Sequence, residues 1–394
     1  MNSKYLVING GSSSLKFSLY EMPEEKVLIS GLFERIGIDN SSYTIKLNGE
    51  KIKKEVTLNN HEEAVKILTE ELLNYKIVNS LDEIKGVGHR VVHGGDKFKE
   101  STLINDEVIS TIRNLFHLAP LHNPANLMGI EAFKEFIPDA KEVAIFDTGF
   151  PASMPMENYT YAIPYEWTEK YGARKYGFHG ISHEYVTEFM KKELNKENVN
   201  LITCHLGNGS SMFSIKDSKA FDTSLGFSTN SGLIMGTRSG DVDTLMVQYL
   251  MKETGLSFDE IINVLNKESG LLGVSGVSSD SRDIEEGMKN GNARCILAQA
   301  LFVNRIVGYI AKLWIGLDHV DAITFAGGIG ENSPVTRKQI IEKLKPLEIE
   351  LDEEANNVRG KFTLITKESS KIPCYIVPTD EEVMIARDTY NLVK

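Results

Sequence analysis

Apolar and polar positions alternate along the first sixty residues in the manner of β-strands. Short apolar runs lie at 5–8, 15–20 and 27–32, and Asn48-Gly49 then separates two further strand-like runs. Side chains on a strand point alternately to its two faces, and Asn-Gly favours a two-residue hairpin turn. The pattern therefore predicts an antiparallel sheet at the start of the chain.

From residue 61 the spacing of apolar residues becomes that of helices. The segment EEAVKILTEELL repeats them every three or four positions, which places them on one helical face. Strand-like runs then alternate with helical stretches near 107–118 and 125–136, and EVAIFDTGF indicates a buried strand that ends in Asp147. Prolines at 151, 155 and 164 follow, so a domain boundary is predicted near residue 150.

The second half of the chain repeats this plan. A strand, a turn and a strand are predicted over 201–215, long helices near 243–251 and 293–315, and another strand in DAITFAGGIGEN. The segment LITCHLGNGSSMFSIKD, from residue 201, resembles LVINGGSSSLKFSLYE, from residue 6. A duplicated unit of strands followed by helices explains this similarity, and coincidence between two short segments is the alternative.

Composition narrows the functional classes. The 394 residues exceed the usual size of a single core, so two domains are expected. A formal net charge of -12 opposes binding to nucleic acid and to anionic membranes. Three cysteines without a C-x-x-C pair indicate a reduced protein without structural zinc. No export signal precedes the first strand, and charges interrupt the apolar stretch 300–317, so a cytoplasmic location is expected.

Three turns rich in glycine lie at the ends of strand-like runs, at 10–14, 207–211 and 327–332. Bare backbone amides in such turns can converge on phosphate, and glycine lets the chain approach it closely. None has the spacing of a P-loop or of the dinucleotide fingerprint. One such turn is usually only a tight hairpin, but three together, with Lys16 and Arg282 nearby, favour nucleotide binding.

Charged residues that suit phosphoryl transfer stand in separate motifs. Arg90 lies in GVGHRVVHGGD, Asp147 in IFDTGF, His179 in YGFHGISH and Arg238 in MGTRSGDVD. Phosphoryl transfer requires cations for the equatorial oxygens and an acidic group for a metal or for orientation. Two H-x-x-x-H pairs lack the glutamate and third ligand of a zinc site, and no G-x-S-x-G elbow indicates a hydrolase.

These motifs, taken in order, resemble those of the acetokinase family, within the superfamily of acetate and sugar kinases, heat-shock chaperone ATPases and actin. The resemblance runs from end to end. It is carried by NGGSSSLKF, GHRVVHGG, APLHNP, FDTGF, YGFHGISH, HLGNGSS, DTSLGF, MGTRSGDVD, AGGIGEN and PTDEE.

The resemblance implies an α/β fold of two duplicated ribonuclease-H-like (actin-like ATPase) domains, with mixed sheets flanked by helices and an interdomain cleft. The N-terminal domain, on the acetate side, would span 1–150 and be completed by a C-terminal helix at 383–394. The nucleotide side would span 151–382. It also implies reversible transfer between ATP and acetate that gives ADP and acetyl phosphate, with Mg²⁺ or alternatively Mn²⁺, by a homodimer.

Carried over position by position, the resemblance also implies residue roles. Asn9 and Glu381 would hold the metal. Arg90, Asp147, His179 and Arg238 would be catalytic, and Arg90 would also bind the acetate carboxylate. The methyl pocket would consist of Val92, Leu121 and Phe178. The nucleotide contacts would be Lys16, His205, Leu206, Gly207, Asn208, Gly209, Asp280, Ser281, Arg282, Gly327, Gly328, Ile329, Gly330 and Glu331.

The chemistry of the acceptor supports direct in-line transfer. A carboxylic acid of pKa about 4 is already ionised at neutral pH, so it needs charge compensation and no general base. Thr229, in GFSTNSG, stands where the family commonly has proline, and this leaves acyl-chain selectivity open. Propionate or butyrate kinase is the nearest alternative. A chaperone-like ATPase would need a further domain, and a filament protein would not need the arginine motifs.

Overall fold

The computed structural model describes residues 2–120 and 122–394, which form two compact units. The first unit comprises Met1–Phe150 and Asp380–Lys394, and the second comprises Pro151–Thr379. The domain limits and the interdomain cleft inferred from the sequence stay predictions.

The first unit is built on a mixed sheet with the strand order β5-β4-β3-β2-β1-β6-β8-β7. Neighbours from β1 to β5 pair antiparallel, whereas β1, β6 and β8 run parallel. The antiparallel opening predicted from alternation is therefore confirmed. The strands are β1 Ser3–Gly11, β2 Ser14–Met22, β3 Lys26–Glu34, β4 Ser42–Leu47, β5 Glu50–Glu55, β6 Ile84–Val91, β7 Thr102–Leu103 and β8 Lys141–Phe146.

The second unit is built on a shorter mixed sheet with the order β11-β10-β9-β12-β14-β13. Here β9, β12 and β14 run parallel, and β10 is antiparallel to β9 and to β11. These strands are β9 Leu201–Leu206, β10 Ser210–Lys216, β11 Lys219–Thr223, β12 Ala322–Ala326, β13 Thr363–Leu364 and β14 Cys374–Ile376.

The two sheets share one plan, in which an antiparallel three-stranded run is followed by two strands parallel to its first member. That plan is β3-β2-β1-β6-β8 in one unit and β11-β10-β9-β12-β14 in the other. The two similar sequence segments form the corresponding hairpins, β1-β2 and β9-β10. This correspondence confirms the duplicated ribonuclease-H-like fold and removes coincidence as the explanation.

Helices fill the connections between the strands, and 3₁₀ turns lie at Leu81–Glu83, Phe150–Ser153 and Lys345–Leu347. The helices are α1 His61–Asn74, α2 Asp106–Asn114, α3 Asn123–Phe136, α4 Met156–Tyr159, α5 Tyr165–Tyr171, α6 Gly180–Glu193, α7 Thr244–Thr254, α8 Phe258–Lys267, α9 Gly270–Ser275, α10 Ser281–Lys289, α11 Ala293–Ile315, α12 Gly327–Asn332, α13 Pro334–Lys343, α14 Glu353–Asn356 and α15 Glu381–Val393.

Amphipathic spacing accounts for the helices that cover the sheets. In α1, the Asn60 side chain accepts a hydrogen bond from the Glu63 backbone amide, and the apolar residues predicted for one face are buried. The C-terminal helix starts at Glu381 and not at residue 383, because Asp380 caps it and accepts from the amide of Val383. This correction makes Glu381 the first helical residue.

One helix in the described part of the chain, α11, is long and apolar enough to cross a membrane. Its buried residues recur every three or four positions and include Cys295, Phe302, Ile306 and Ile310, which belong to the core of the second unit. The prediction of a helix in this stretch is confirmed, but the helix is buried on one face only, because Leu301 and Ile315 are exposed.

Candidate active site

In the first unit, charged and amide side chains meet at one edge of the sheet. Arg90 lies near the end of β6, Asn9 near the end of β1, and Asp147 directly follows β8. Because these strands are parallel, their carboxyl ends share this edge. Arg90 donates from Nε and Nη2 to Asp147 over 3.2 and 2.5 Å, and from Nη1 to Asn9 Oδ1 over 3.1 Å.

Glu381 joins this cluster from the start of α15. Its Oε2 lies 4.0 Å from Arg90 Nε. Burial lowers the pKa of the Arg90 guanidinium, but the carboxylates of Asp147 and Glu381 outweigh burial and hold that pKa above its ordinary value. Burial raises the pKa of Glu381, against the opposing charge of Arg90. Two carboxylates thus face one guanidinium, which is itself fixed in place.

Side chains from α3 organise the loop that follows β6. The Val92 amide donates to Asn126 Oδ1 over 3.1 Å, and Asn126 Nδ2 donates to the Gly10 carbonyl over 2.8 Å. Val92 is buried, as a wall of an apolar pocket requires. Leu121, the second residue predicted for that pocket, lies outside the described residues. Asn126 was missed, because nothing in the sequence distinguishes it from other helical asparagines.

Lys16 lies on β2, beside the start of α15. Its side chain, about half exposed, forms an ion pair with the carboxylate of Glu382 at the start of α15. Ser18 on the same strand donates to Glu382 Oε2 over 2.7 Å. Lys16 therefore anchors α15 in this structure, and its contact with phosphate stays a prediction.

In the second unit, histidines gather at the start of α6. His179 immediately precedes α6 in the left-handed conformation, with φ of 60°. Its ring stacks on that of His205 with a centroid distance of 4.5 Å, and His205 Nδ1 lies 2.8 Å from the Ser182 hydroxyl. Phe178, predicted for the methyl pocket, is buried beside His179 in the sequence.

Arg238 approaches the same place from the loop before α7. It donates from Nη1 to the Thr229 carbonyl over 3.2 Å and to the Met235 sulfur over 3.6 Å. Within residues 2–120 and 122–394 no carboxylate lies within ion-pair distance of it, and burial lowers its pKa. A desolvated guanidinium without a carboxylate is a site prepared for an anion.

The glycine turn between β9 and β10 closes this space. A methyl group added to Gly209 would lie 3.6 Å from His179 Nε2 and 3.7 Å from Arg238 Nη1. A side chain at this position would therefore occupy part of the space that His179 and Arg238 border. His179, Arg238 and the turn between β9 and β10 thus border one space in the second unit.

A cavity of about 550 Å³ lies in the second unit. Seven of the predicted nucleotide residues line it, namely Gly207, Asn208, Asp280, Ser281, Arg282, Gly328 and Ile329. The sequence prediction missed five further lining residues, namely Ser279, Glu285, Asn332, Ser333 and Arg359. The predicted residues that do not line it are Lys16, His205, Leu206, Gly209, Gly327, Gly330 and Glu331.

The residues behind the cavity hold its loops in place. Glu331 Oε1 accepts from the amides of Gly327 and Thr379 over 2.8 and 3.2 Å, so its carboxylate ties the start of α12 to Thr379. The segment 327–332, predicted as a turn, is this helix. Arg337 is fully buried and donates to the carbonyl of Gly330 over 2.8 Å. Asp280 caps α10 and binds the Arg282 guanidinium, which lowers the pKa of Asp280 to about 2.

Comparison with known proteins places this geometry in a family. The family model described as the acetokinase family matches residues 4–387. The chain belongs to the acetokinase family. It is 51% identical to the acetate kinase of Finegoldia magna over 393 residues, covering 99% of this chain and 100% of the relative. It is 50% identical to the acetate kinase of Bacillus subtilis over 394 residues, with complete coverage of both chains.

Solved structures from the acetokinase family agree in fold. The Porphyromonas gingivalis acetate kinase is 44% identical, with a TM-score of 0.95 and complete coverage of both chains. A propionate kinase from Francisella tularensis is 40% identical, with a TM-score of 0.94 and 99% coverage of both. The chain is therefore a kinase whose acceptor is a carboxyl group. Because kinases named for different acids share this fold, the fold alone does not select the acid.

Proposed function

We propose that this protein catalyses the reversible transfer of the γ-phosphoryl group of ATP to acetate, giving ADP and acetyl phosphate. The observation that carries the proposal is the half-buried Arg238 beside His179 and a glycine turn. Arg238 has carbonyl and sulfur partners but no carboxylate partner among the described residues. Such a space suits the equatorial oxygens of a transferring phosphoryl group, whose negative charge Arg238 would balance while His179 donates a hydrogen bond.

The acceptor carboxylate would bind Arg90. A guanidinium has five N–H groups, and Arg90 uses three of them on Asp147 and Asn9. The remaining two, one on each Nη, would form an edge that can bind a carboxylate through two hydrogen bonds. Asp147 and Asn9 thus orient this edge, and the buried Val92 supplies apolar surface for the methyl group.

The nucleotide would bind in the cavity of the second unit. Its glycines leave room for a ring or phosphate to approach the backbone, since a methyl on Gly328 would meet no atom within 4 Å. The 550 Å³ volume is of the size expected for a small-molecule pocket. Direct in-line displacement follows from the chemistry of the acceptor, because an ionised carboxylate attacks without prior deprotonation.

A magnesium ion fits the oxygen donors around Arg90. Asn9 Oδ1 and the carboxylates of Asp147 and Glu381 are hard ligands of the kind that Mg²⁺ prefers, and they leave an excess negative charge beside Arg90. In the described residues no group of three or more histidine, cysteine or acidic side chains could hold a metal. Asn9 and Glu381 would therefore hold an ion that also keeps water and phosphate ligands. When bound, Mg²⁺ or Mn²⁺ would neutralise phosphate charge.

Initial rates with acetate, propionate and butyrate test the proposal. Acyl phosphate trapped as the hydroxamate is expected with acetate, and kcat/KM for propionate is expected to be lower by about 10- to 200-fold, the usual discrimination for one methylene. ATP consumption at the same rate with and without any acid would contradict the kinase. A preference for propionate would contradict only the choice of acid, and Thr229→Pro would then test the pocket loop.

We also propose a cytoplasmic homodimer. The three cysteines are unpaired and buried, as in a reducing compartment. Helix α7 buries none of its residues, although it carries several large apolar side chains, and Leu245 is 72% and Tyr249 59% exposed. An apolar helix without cover is typical of an interface, and a second copy can cover it because a two-fold contact pairs one patch with itself.

Replacing Leu245 by aspartate is expected to shift the protein from dimer to monomer in sedimentation velocity, because charge at the centre of an apolar contact opposes its burial. Gln248→Asp on the same helix is the control for added charge. A wild-type protein that sediments as a monomer at micromolar concentration would exclude the dimer.

A further inference from the structure

A chain of hydrogen-bonded side chains lies behind His179. Its Nδ1 is 2.9 Å from the Ser211 hydroxyl oxygen, and that oxygen is 2.7 Å from Nε2 of His183. His183 Nδ1 is in turn 2.7 Å from the Thr203 hydroxyl. Ser211, His183 and Thr203 are buried, with exposures of 0, 1 and 1%. None of these three residues lines the cavity proposed for the nucleotide.

The Ser211 hydroxyl couples the two imidazoles. It has one hydrogen and sits between two ring nitrogens, so one nitrogen must accept that hydrogen and the other must donate its own. Burial, reinforced by His205, keeps the pKa of His183 well below its ordinary value, and its ring is therefore neutral. A neutral ring has one donor and one acceptor, so the tautomer of His183 determines that of His179.

The hydrogen bonds can run in two directions. In one direction every side chain has its partner, both histidine rings are neutral, and His179 carries its hydrogen on Nε2. In that arrangement Thr203 donates to His183 Nδ1, His183 Nε2 donates to Ser211, and Ser211 donates to His179 Nδ1. In the reverse direction His179 donates from Nδ1, and its Nε2 carries a hydrogen only if the ring is cationic. Nε2 is the nitrogen that lies beside Gly209, in the space that Arg238 also faces.

We propose that Ser211 and His183 are positioning residues that hold His179 with its Nε2–H directed at the transferring phosphoryl group. The proposal rests on the proposed phosphoryl transfer and names the residues that prepare His179 for it. Neither residue touches substrate. They fix the ring's orientation and its tautomer, as the carboxylate does for the histidine of a serine protease triad. The neutral donor also avoids placing a second full charge next to the desolvated Arg238.

Ser211→Ala tests the role in catalysis. The variant is expected to lower kcat for acetyl phosphate formation by about tenfold, which corresponds to one lost orienting hydrogen bond, with KM for ATP and for acetate within about twofold of wild type. Thr203→Val should have a smaller effect in the same direction. Ser214→Ala is the matched control, because Ser214 lies on the same strand, is equally buried and accepts from the Asp222 amide. Equal kcat values for the two serine variants would overturn the proposal.

The tautomer itself can be measured without activity. Two-bond ¹H–¹⁵N spectra of the full-length protein labelled in its nine histidines report which ring nitrogen carries the hydrogen, and His179→Asn assigns the signal. The expected wild-type state has a bare Nδ1 and a protonated Nε2, and Ser211→Ala should average the two. A hydrogen on Nδ1 and a bare Nε2 in wild type would overturn the proposal. Loss of acyl phosphate formation in wild type would instead overturn the proposed function.

Discussion

Arg238→Ala is expected to lower kcat for acetyl phosphate synthesis by about 10³-fold or more, the range seen when a positioned arginine is removed from phosphoryl transfer. The guanidinium has carbonyl and sulfur partners in this structure and is partly desolvated, so its interaction with a developing negative charge is poorly screened by water. KM for ATP should change little, because Arg238 does not line the nucleotide cavity.

Two further variants sharpen this experiment. Arg238→Lys retains the charge but loses the fixed fork, and it should recover only part of the rate. Arg305→Ala is the matched control, since Arg305 is a partly buried arginine of the same unit whose charge is paired with Asp241. Should Arg238→Ala retain wild-type kcat, the anion space beside Gly209 would not be the site of transfer.

Arg90→Ala is expected to lower kcat/KM for acetate by about 10²- to 10³-fold, chiefly through a higher KM. The reason is that acetate would lose the guanidinium that offers it two N–H groups. The substitution also leaves the buried Asp147 without its counter-charge, which costs roughly 3–5 kcal/mol of stability in comparable buried pairs. Thermal unfolding must therefore be followed beside the kinetics, and rates compared well below the midpoint of the variant.

Arg90→Lys separates binding from folding. A lysine retains a charge for Asp147 but cannot present the paired N–H groups, so the fold should survive while KM for acetate stays high. Arg387→Ala serves as the control, because this arginine of the same unit forms a comparable ion pair with Glu25. Acyl phosphate synthesis at the wild-type rate by Arg90→Ala would contradict the assigned acceptor site.

Local patterns sufficed to predict much of the fold. Alternation identified the opening hairpins, the three-to-four spacing in EEAVKILTEELL identified α1, and the similarity of two segments identified the duplicated hairpins. The strand order could not be read from such patterns, since β1 pairs with β6 across more than seventy residues. The start of α15 was placed two residues late, because Asp380 and not a later residue provides the cap.

The motifs pointed to residues that the structure brings together, but not to the residues that hold them in place. Arg90, Asp147, Asn9 and Glu381 come together in the structure as the motifs suggest. The supporting groups, such as Asn126 and Ser211, are ordinary polar residues on regular elements, and only their burial and their partners distinguish them. The sequence also did not predict the ion pair between Lys16 and Glu382, because the two residues lie far apart along the chain.

The residues that cluster around Arg90 come from distant positions in the sequence, and this determines when during synthesis the cluster can form. Asn9 is synthesised 372 positions before Glu381. Gly88 on β6 lies so close to α15 that a methyl group there would be 2.1 Å from Thr389 Oγ1, so this late helix packs directly on the strand that carries Arg90. The cluster around Arg90 therefore cannot form until α15 has been synthesised.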